Sequence, residues 1–145
     1  MGKILALGIG FALLLGAATA LGGSTKSASV AIGYTVGTDG NCYVTDTASW
    51  TGYQVNRVRH VFYRRTASGS VWESFTTTGY PKGESHASGS FTSQSTVPVY
   101  AGESWYVHAI FRSNGGAHLA EADSPDLVLP STCPARPSFA TARSG

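Results

Sequence analysis

A chain of 145 residues suits one domain, and a formal charge of +2 with only 12 % charged residues gives a weak whole-molecule field. That balance excludes binding to nucleic acid through overall charge and confines any electrostatic recognition to a local patch. Aromatics at 11 %, with 18 glycines and one Met, exclude a disordered chain and describe a packed, turn-rich one.

Residues 1–20, MGKILALGIGFALLLGAATA, join a basic start at Lys3 to an apolar run and the small-x-small pattern Ala18-Thr19-Ala20. This is the layout of a secretory signal cut after Ala20. The competing reading is an uncleaved anchor, since the run from Ile4 to Leu21 just reaches spanning length; Gly8, Gly10 and Gly16 weigh against it. Residues 21–29, LGGSTKSAS, read as a flexible linker, and residues 134–145, PARPSFATARSG, as a disordered tail.

Between them, residues 30–133 alternate short segments rich in Val, Ile, Thr and aromatics with turn signals at Gly37–Gly40, Thr51-Gly52, Ser68-Gly69, Gly79–Gly83, Ser88-Gly89, Ala101-Gly102, Asn114-Gly115-Gly116 and Ser124-Pro125. The segments are SVAIGYTV, NCYVTDTASW, QVNRVRHVFYRR, VWESFTTT, SFTSQSTVPV, SWYVHAIFR and AHLAEAD. About seven half-buried strands at this spacing predict an all-β, antiparallel sandwich or barrel.

NRVRHVFYRR, residues 56–65, concentrates four of the seven arginines. Val55, Val58 and Phe62 also fit a helical stripe, but the β-branched and aromatic filler and the absence of a good N-cap favour a strand. Alternation then puts Val58, His60 and Phe62 on the core face and Arg57, Arg59, Val61, Tyr63 and Arg65 on the other. That choice avoids burying three guanidinium groups, and it makes His60 a core histidine bonded to backbone or to a hydroxyl.

A loop of about four residues to the next segment would set Phe62 opposite Phe75 and Arg64 opposite Glu73; a five-residue loop would set Val61 against Phe75. In SWYVHAIFR the apolar face is Trp105, Val107, Ala109 and Phe111. Tyr106, His108, Ile110 and Arg112 take the other face, with His108 facing Glu121 or Asp123. Cys42 and Cys133, an even pair in a chain with a secretory leader, are predicted to close a disulfide around nearly the whole domain.

The order of residues resembles the immunoglobulin-like sandwich, in particular fibronectin type III domains. Trp50 in TASW is similar to their second-strand tryptophan, VFYRRTASGSVW to their third strand and following turn, and VYAGESWYVHAIF to their sixth-strand signature. Trp105 stands where the tyrosine corner of the family falls, and Cys42 and Cys133 do not match the inter-sheet disulfide of antibody domains. The resemblance implies a binding or spacer module without catalysis.

Glu84, Ser85 and His86 in GESHA outline a nucleophile elbow, which needs a strand-to-helix turn in a parallel sheet. No helical pattern follows Ser85 and the folded span is short, so the chain is read as non-catalytic, with a hydrolase using Ser85 and His86 as a minor alternative. No cofactor or metal is expected, because His86, His108 and His118 lack ligand spacing and no phosphate cradle is present.

Two surfaces remain. Arg57, Arg59, Tyr63 and Arg65 form a candidate site for anionic or glycan ligands of an envelope, or for an extracellular protein. The plainer reading makes them a solvated face paired with Glu73 or other acids. Tyr53, Trp72 and Tyr80 are aromatics near loops that could stack on sugars or pack in the core. The chain is therefore expected to be a secreted binding module. A small inhibitor or effector that presents its Gly79–Gly89 loop to another protein is the alternative. Nucleic acid is not an expected partner, and contact with a membrane would come only through an uncleaved leader.

Overall fold

A computed structural model describes residues 25–138, so the predicted leader, residues 21–24 of the predicted linker and the end of the tail lie outside the described residues. The elements are β1 (Ser27–Val36), β2 (Cys42–Val55), β3 (Arg57–Thr66), β4 (Gly69–Gly79), β5 (His86–Gln94), β6 (Ser104–Arg112), β7 (His118–Asp123) and the short β8 (Leu127–Val128). One sheet has the order β1-β2-β5, the other β4-β3-β6-β7, with β8 also paired to β6, and every pairing is antiparallel. The predicted all-β sandwich is the fold. Each predicted segment is a strand, and β8 is the one that composition alone does not announce.

The core follows from strict alternation. Val44, Asp46, Ala48 and Trp50 of β2 point inward from one sheet, and Val58, His60 and Phe62 of β3 with Trp105, Val107, Ala109 and Phe111 of β6 point inward from the other; all are buried. Trp50 packs on Phe91 and Phe111, and its indole N–H donates to the His86 carbonyl at 2.9 Å. Gly89 lies opposite Trp50, and a Cβ there would meet the indole at 2.9 Å, so only glycine admits this close packing. Trp105 is fully buried, and its Nε1 has no hydrogen-bond partner, so the hydroxyl bond of a tyrosine corner is not made here.

Several boundaries differ from the sequence reading. The Thr51-Gly52 signal is not a turn: β2 runs through it, Gly52 takes a φ of 81°, and the pairing with β5 shifts register there. β1 begins at Ser27, inside the stretch read as a linker. The tail starts docked. The Ala101 N–H donates to the Pro134 carbonyl at 2.9 Å, and Arg136 pairs with Glu103 at 2.7 Å while lying over the Tyr100 ring.

The Cys42–Cys133 disulfide is formed, with both cysteines buried. A bridged small all-β domain is compatible with an oxidising, extracellular location.

Candidate anion-binding cleft

The outer face of the β4-β3-β6-β7 sheet is laid out by the register of β3. Arg57 pairs with Arg112 of β6 and with Gly79 of β4, and Arg59 pairs with Ile110 and with Thr77. Directly paired residues point to the same side of an antiparallel sheet, so Arg57, Arg59, Thr77 and Arg112 share one corner of the outer face. They line a cavity of about 290 Å³.

Arg59 and Arg112 are held by contacts other than carboxylates. Arg59 lies 4.3 Å over the Phe75 ring, a cation–π contact, and its Nε is buried with no hydrogen-bond partner. Arg112 Nη1 donates to the Gly116 carbonyl at 3.1 Å. A Cβ on residue 116 would stand 3.0 Å from Arg57 Nη2, so Gly116 leaves that guanidinium its space. Among the described residues no carboxylate forms an ion pair with Arg57, Arg59 or Arg112. Acids of β7 on this face are engaged by histidines. His108 meets Asp123 at 2.6 Å and Glu121 at 3.6 Å, and His118 meets Glu121 at 3.1 Å.

Three neighbouring guanidinium groups with no ion-paired carboxylate among the described residues, Arg57 and Arg112 being direct cross-strand partners, concentrate positive charge that an anion between them would offset. Their planar donor forks suit the oxygens of carboxylate, sulfate or phosphate, and the Thr77 hydroxyl stands beside them.

The site predicted from the sequence is divided by this geometry. Arg57 and Arg59 belong to the cleft. Arg65 does not: it pairs with Asp126 at 3.1 Å, hydrogen-bonds Ser70 and lies 4.1 Å over the Tyr106 ring. The Asp126 hydrogen bond raises the affinity of Arg65 for its proton. Tyr63 stacks on Tyr106 with centroids 5.0 Å apart, and neither ring lines the cleft. Arg64 leaves the core-side parity toward Glu73, at 2.8 Å, and Glu103, at 3.6 Å.

Arg112 and Thr77 are the cleft residues that sequence reasoning did not assign. The signal was present: alternation in SWYVHAIFR puts Arg112 on the polar face, and adjacency of β3 and β6 is all that was missing. Of the aromatics, Tyr53 and Tyr80 pack against the core, whereas Trp72 is 52 % exposed.

Of the predicted Gly79–Gly89 loop only residues 80–85 are loop, since β4 ends at Gly79 and β5 starts at His86; the Asn56 side-chain amide donates to the carbonyls of Tyr80, Pro81 and Glu84, at 3.3, 3.2 and 2.7 Å, and so fixes this loop to the start of β3. Ser85 Oγ meets Gln54 at 3.4 Å, and His86 Nε2 meets Glu84 at 2.7 Å, so Ser85 and His86 are not hydrogen-bonded to each other.

His60 is fully buried, as its parity predicts, and one partner is the expected hydroxyl, Thr78 Oγ1 at 2.8 Å from Nε2. The other is a carboxylate: Nδ1 donates to Asp46 Oδ2 at 2.6 Å, from β3 to β2 across the sandwich.

Comparison with family models, with curated proteins and with solved structures finds no match to this chain.

Proposed function

We propose that this domain is a non-catalytic, extracellular binding module of the immunoglobulin-like, fibronectin type III-like kind that captures anionic groups of envelope or extracellular polymers. The type assignment is supported by strand order: a three-stranded sheet β1-β2-β5 faces the sheet β4-β3-β6-β7, and the chain crosses between them after β2, β4 and β5. The Cys42–Cys133 bridge supports the compartment.

The observation that carries the binding reading is the cleft itself. Arg57, Arg59 and Arg112 surround a cavity of about 290 Å³ with no carboxylate paired to them among the described residues, while Arg64 and Arg65 of the same strand each have an acid. A solvated face that only discourages aggregation needs no such division between paired and unpaired arginines.

The test is retention on a heparin matrix at low ionic strength. The Arg57→Ala/Arg59→Ala/Arg112→Ala variant is expected to elute at markedly lower salt than the unmodified protein, and Arg65→Ala close to it. Equal elution of the triple variant and the unmodified protein contradicts the assignment.

A further inference from the structure

A second feature lies on the same face, on the edge strand. Phe75 is 46 % exposed and Trp72 52 % exposed, with ring centroids 5.9 Å apart and planes inclined by 32°. Two large rings side by side on an edge strand give an apolar surface that a flat ligand could cover.

Their placement ties them to the cleft. Phe75 pairs with Val61 as Thr77 pairs with Arg59, so Phe75 is the next outward residue along β4 from the cleft wall. Trp72 is opposite Tyr63, which stacks on Tyr106, so a row of aromatics crosses β4, β3 and β6 beyond Phe75, and Arg65 lies over its Tyr106 end. Arg59, over the Phe75 ring, joins cleft and row.

The same strand argues against a peptide added along its full edge. Register shifts beside Trp72, between the Phe62 and Tyr63 pairings, so Glu73 is an extra residue in β4 and is held by Arg64. Such a bulge interrupts the edge hydrogen-bonding ladder where the rings are. Ring surface on one side and guanidinium forks at one end remain accessible. Pyranose rings present flat C–H faces to aromatic rings, and uronate or sulfate substituents present planar or tetrahedral oxygens to arginine.

We propose that Trp72 and Phe75 form a sugar-stacking platform continuous with the arginine cleft, and that the ligand class is an acidic polysaccharide. This rests on the reading of the cleft as an anion site.

The chain supplies its own reporter. Of its three tryptophans, Trp50 and Trp105 are buried and Trp72 is exposed, so acrylamide quenching of tryptophan emission reads Trp72. With the purified protein, oligogalacturonate or sulfated dextran is expected to shield the emission from acrylamide, and neutral dextran not to. Inorganic polyphosphate, charged but without rings, is expected to bind without shielding.

By calorimetry, Trp72→Ala, which leaves the Phe75 ring under Arg59 in place, is expected to bind the acidic glycans roughly tenfold more weakly and polyphosphate unchanged. Trp72→Leu keeps apolar bulk and is expected to show the same loss. The arginine triple variant is expected to lose both ligands.

Unchanged glycan affinity in the ring variants overturns the platform and leaves the cleft standing. So does equal shielding by polyphosphate or by single-stranded DNA. Failure of the unmodified protein to bind any of these polyanions overturns both readings.

Discussion

His60 and Asp46 occupy inward positions that two apolar side chains would fill, and each is less than a tenth exposed. A polar pair of this kind is tolerated in a core only while its bonds are made. The His60 ring has both nitrogens satisfied, whereas Asp46 leaves Oδ1 without a hydrogen-bond partner.

Asp46→Ala or His60→Ala, each leaving its partner buried and unpaired, is expected to cost about 3–5 kcal/mol in urea unfolding. The double variant Asp46→Leu/His60→Phe, which removes both polar groups, is expected to cost less than either single change. Additive losses would contradict a coupled pair. His60 was legible because alternation in NRVRHVFYRR leaves it no outward place. Asp46 was equally legible by parity, on the inward side with Val44, Ala48 and Trp50, but its partner lies on the facing sheet, and no local pattern names a partner across a sandwich.

At the scale of elements, turns and bulges decide what alternation cannot. The loop between β3 and β4 is only Ala67-Ser68, shorter than either loop length considered from the sequence. The extra residue in β4 then shifts the ladder and brings Val61, not Phe62, opposite Phe75. Arg64 nonetheless reaches Glu73, although its paired residue is Val71. Loop length and bulge act on register in sums, so a sequence that displays alternation clearly still leaves the pairing open by a residue or two.

The β1–β2 hairpin carries a prediction of its own. The Tyr43 hydroxyl donates to Asp39 Oδ2 at 2.6 Å, and the Asn41 backbone N–H and side-chain amide donate to the same carboxylate at 3.0 and 3.1 Å. The Tyr43 bond first, then those from Asn41, hold the Asp39 carboxyl below its ordinary range, and Asp39 in turn raises the Tyr43 phenol. A carboxyl lowered in the folded state contributes stability that is present above its unfolded pKa and is lost as pH falls through the folded one. An NMR titration of Tyr43→Phe is therefore expected to show Asp39 titrating at higher pH than in the unmodified protein. An unchanged Asp39 curve would contradict the assignment.

For the whole molecule, the turn signals and the β-rich segments carried the architecture, and the even cysteine pair carried the bridge. The disulfide joins the start of β2 to the segment after β8 across a separation of 91 residues. Closing so long a loop restricts the unfolded chain by about 4–5 kcal/mol in the entropy model. Cys42→Ala/Cys133→Ala is accordingly expected to unfold at clearly lower urea concentration with its strand content retained in buffer. A midpoint equal to that of the unmodified protein would contradict the bridge as a main staple.

The candidate site was legible in half. Arg57 and Arg59 follow from alternation, whereas Arg112 comes from β6, more than forty positions along, and joins them only because the fold sets β6 beside β3. Local charge density also overstated the cluster, since Arg64 finds Glu73 on the neighbouring β4 together with Glu103, and Arg65 finds Asp126.

The central claim is that three unpaired guanidinium groups act together on one anion. Arginine side-chain Nε–Hε NMR signals, followed while sulfate replaces chloride at constant ionic strength, test it most directly. Saturable shifts are expected at Arg57, Arg59 and Arg112, largest at Arg59, and none beyond baseline at Arg64 and Arg65. Shifts at Arg57, Arg59 and Arg112 no larger than those at Arg65 would contradict it.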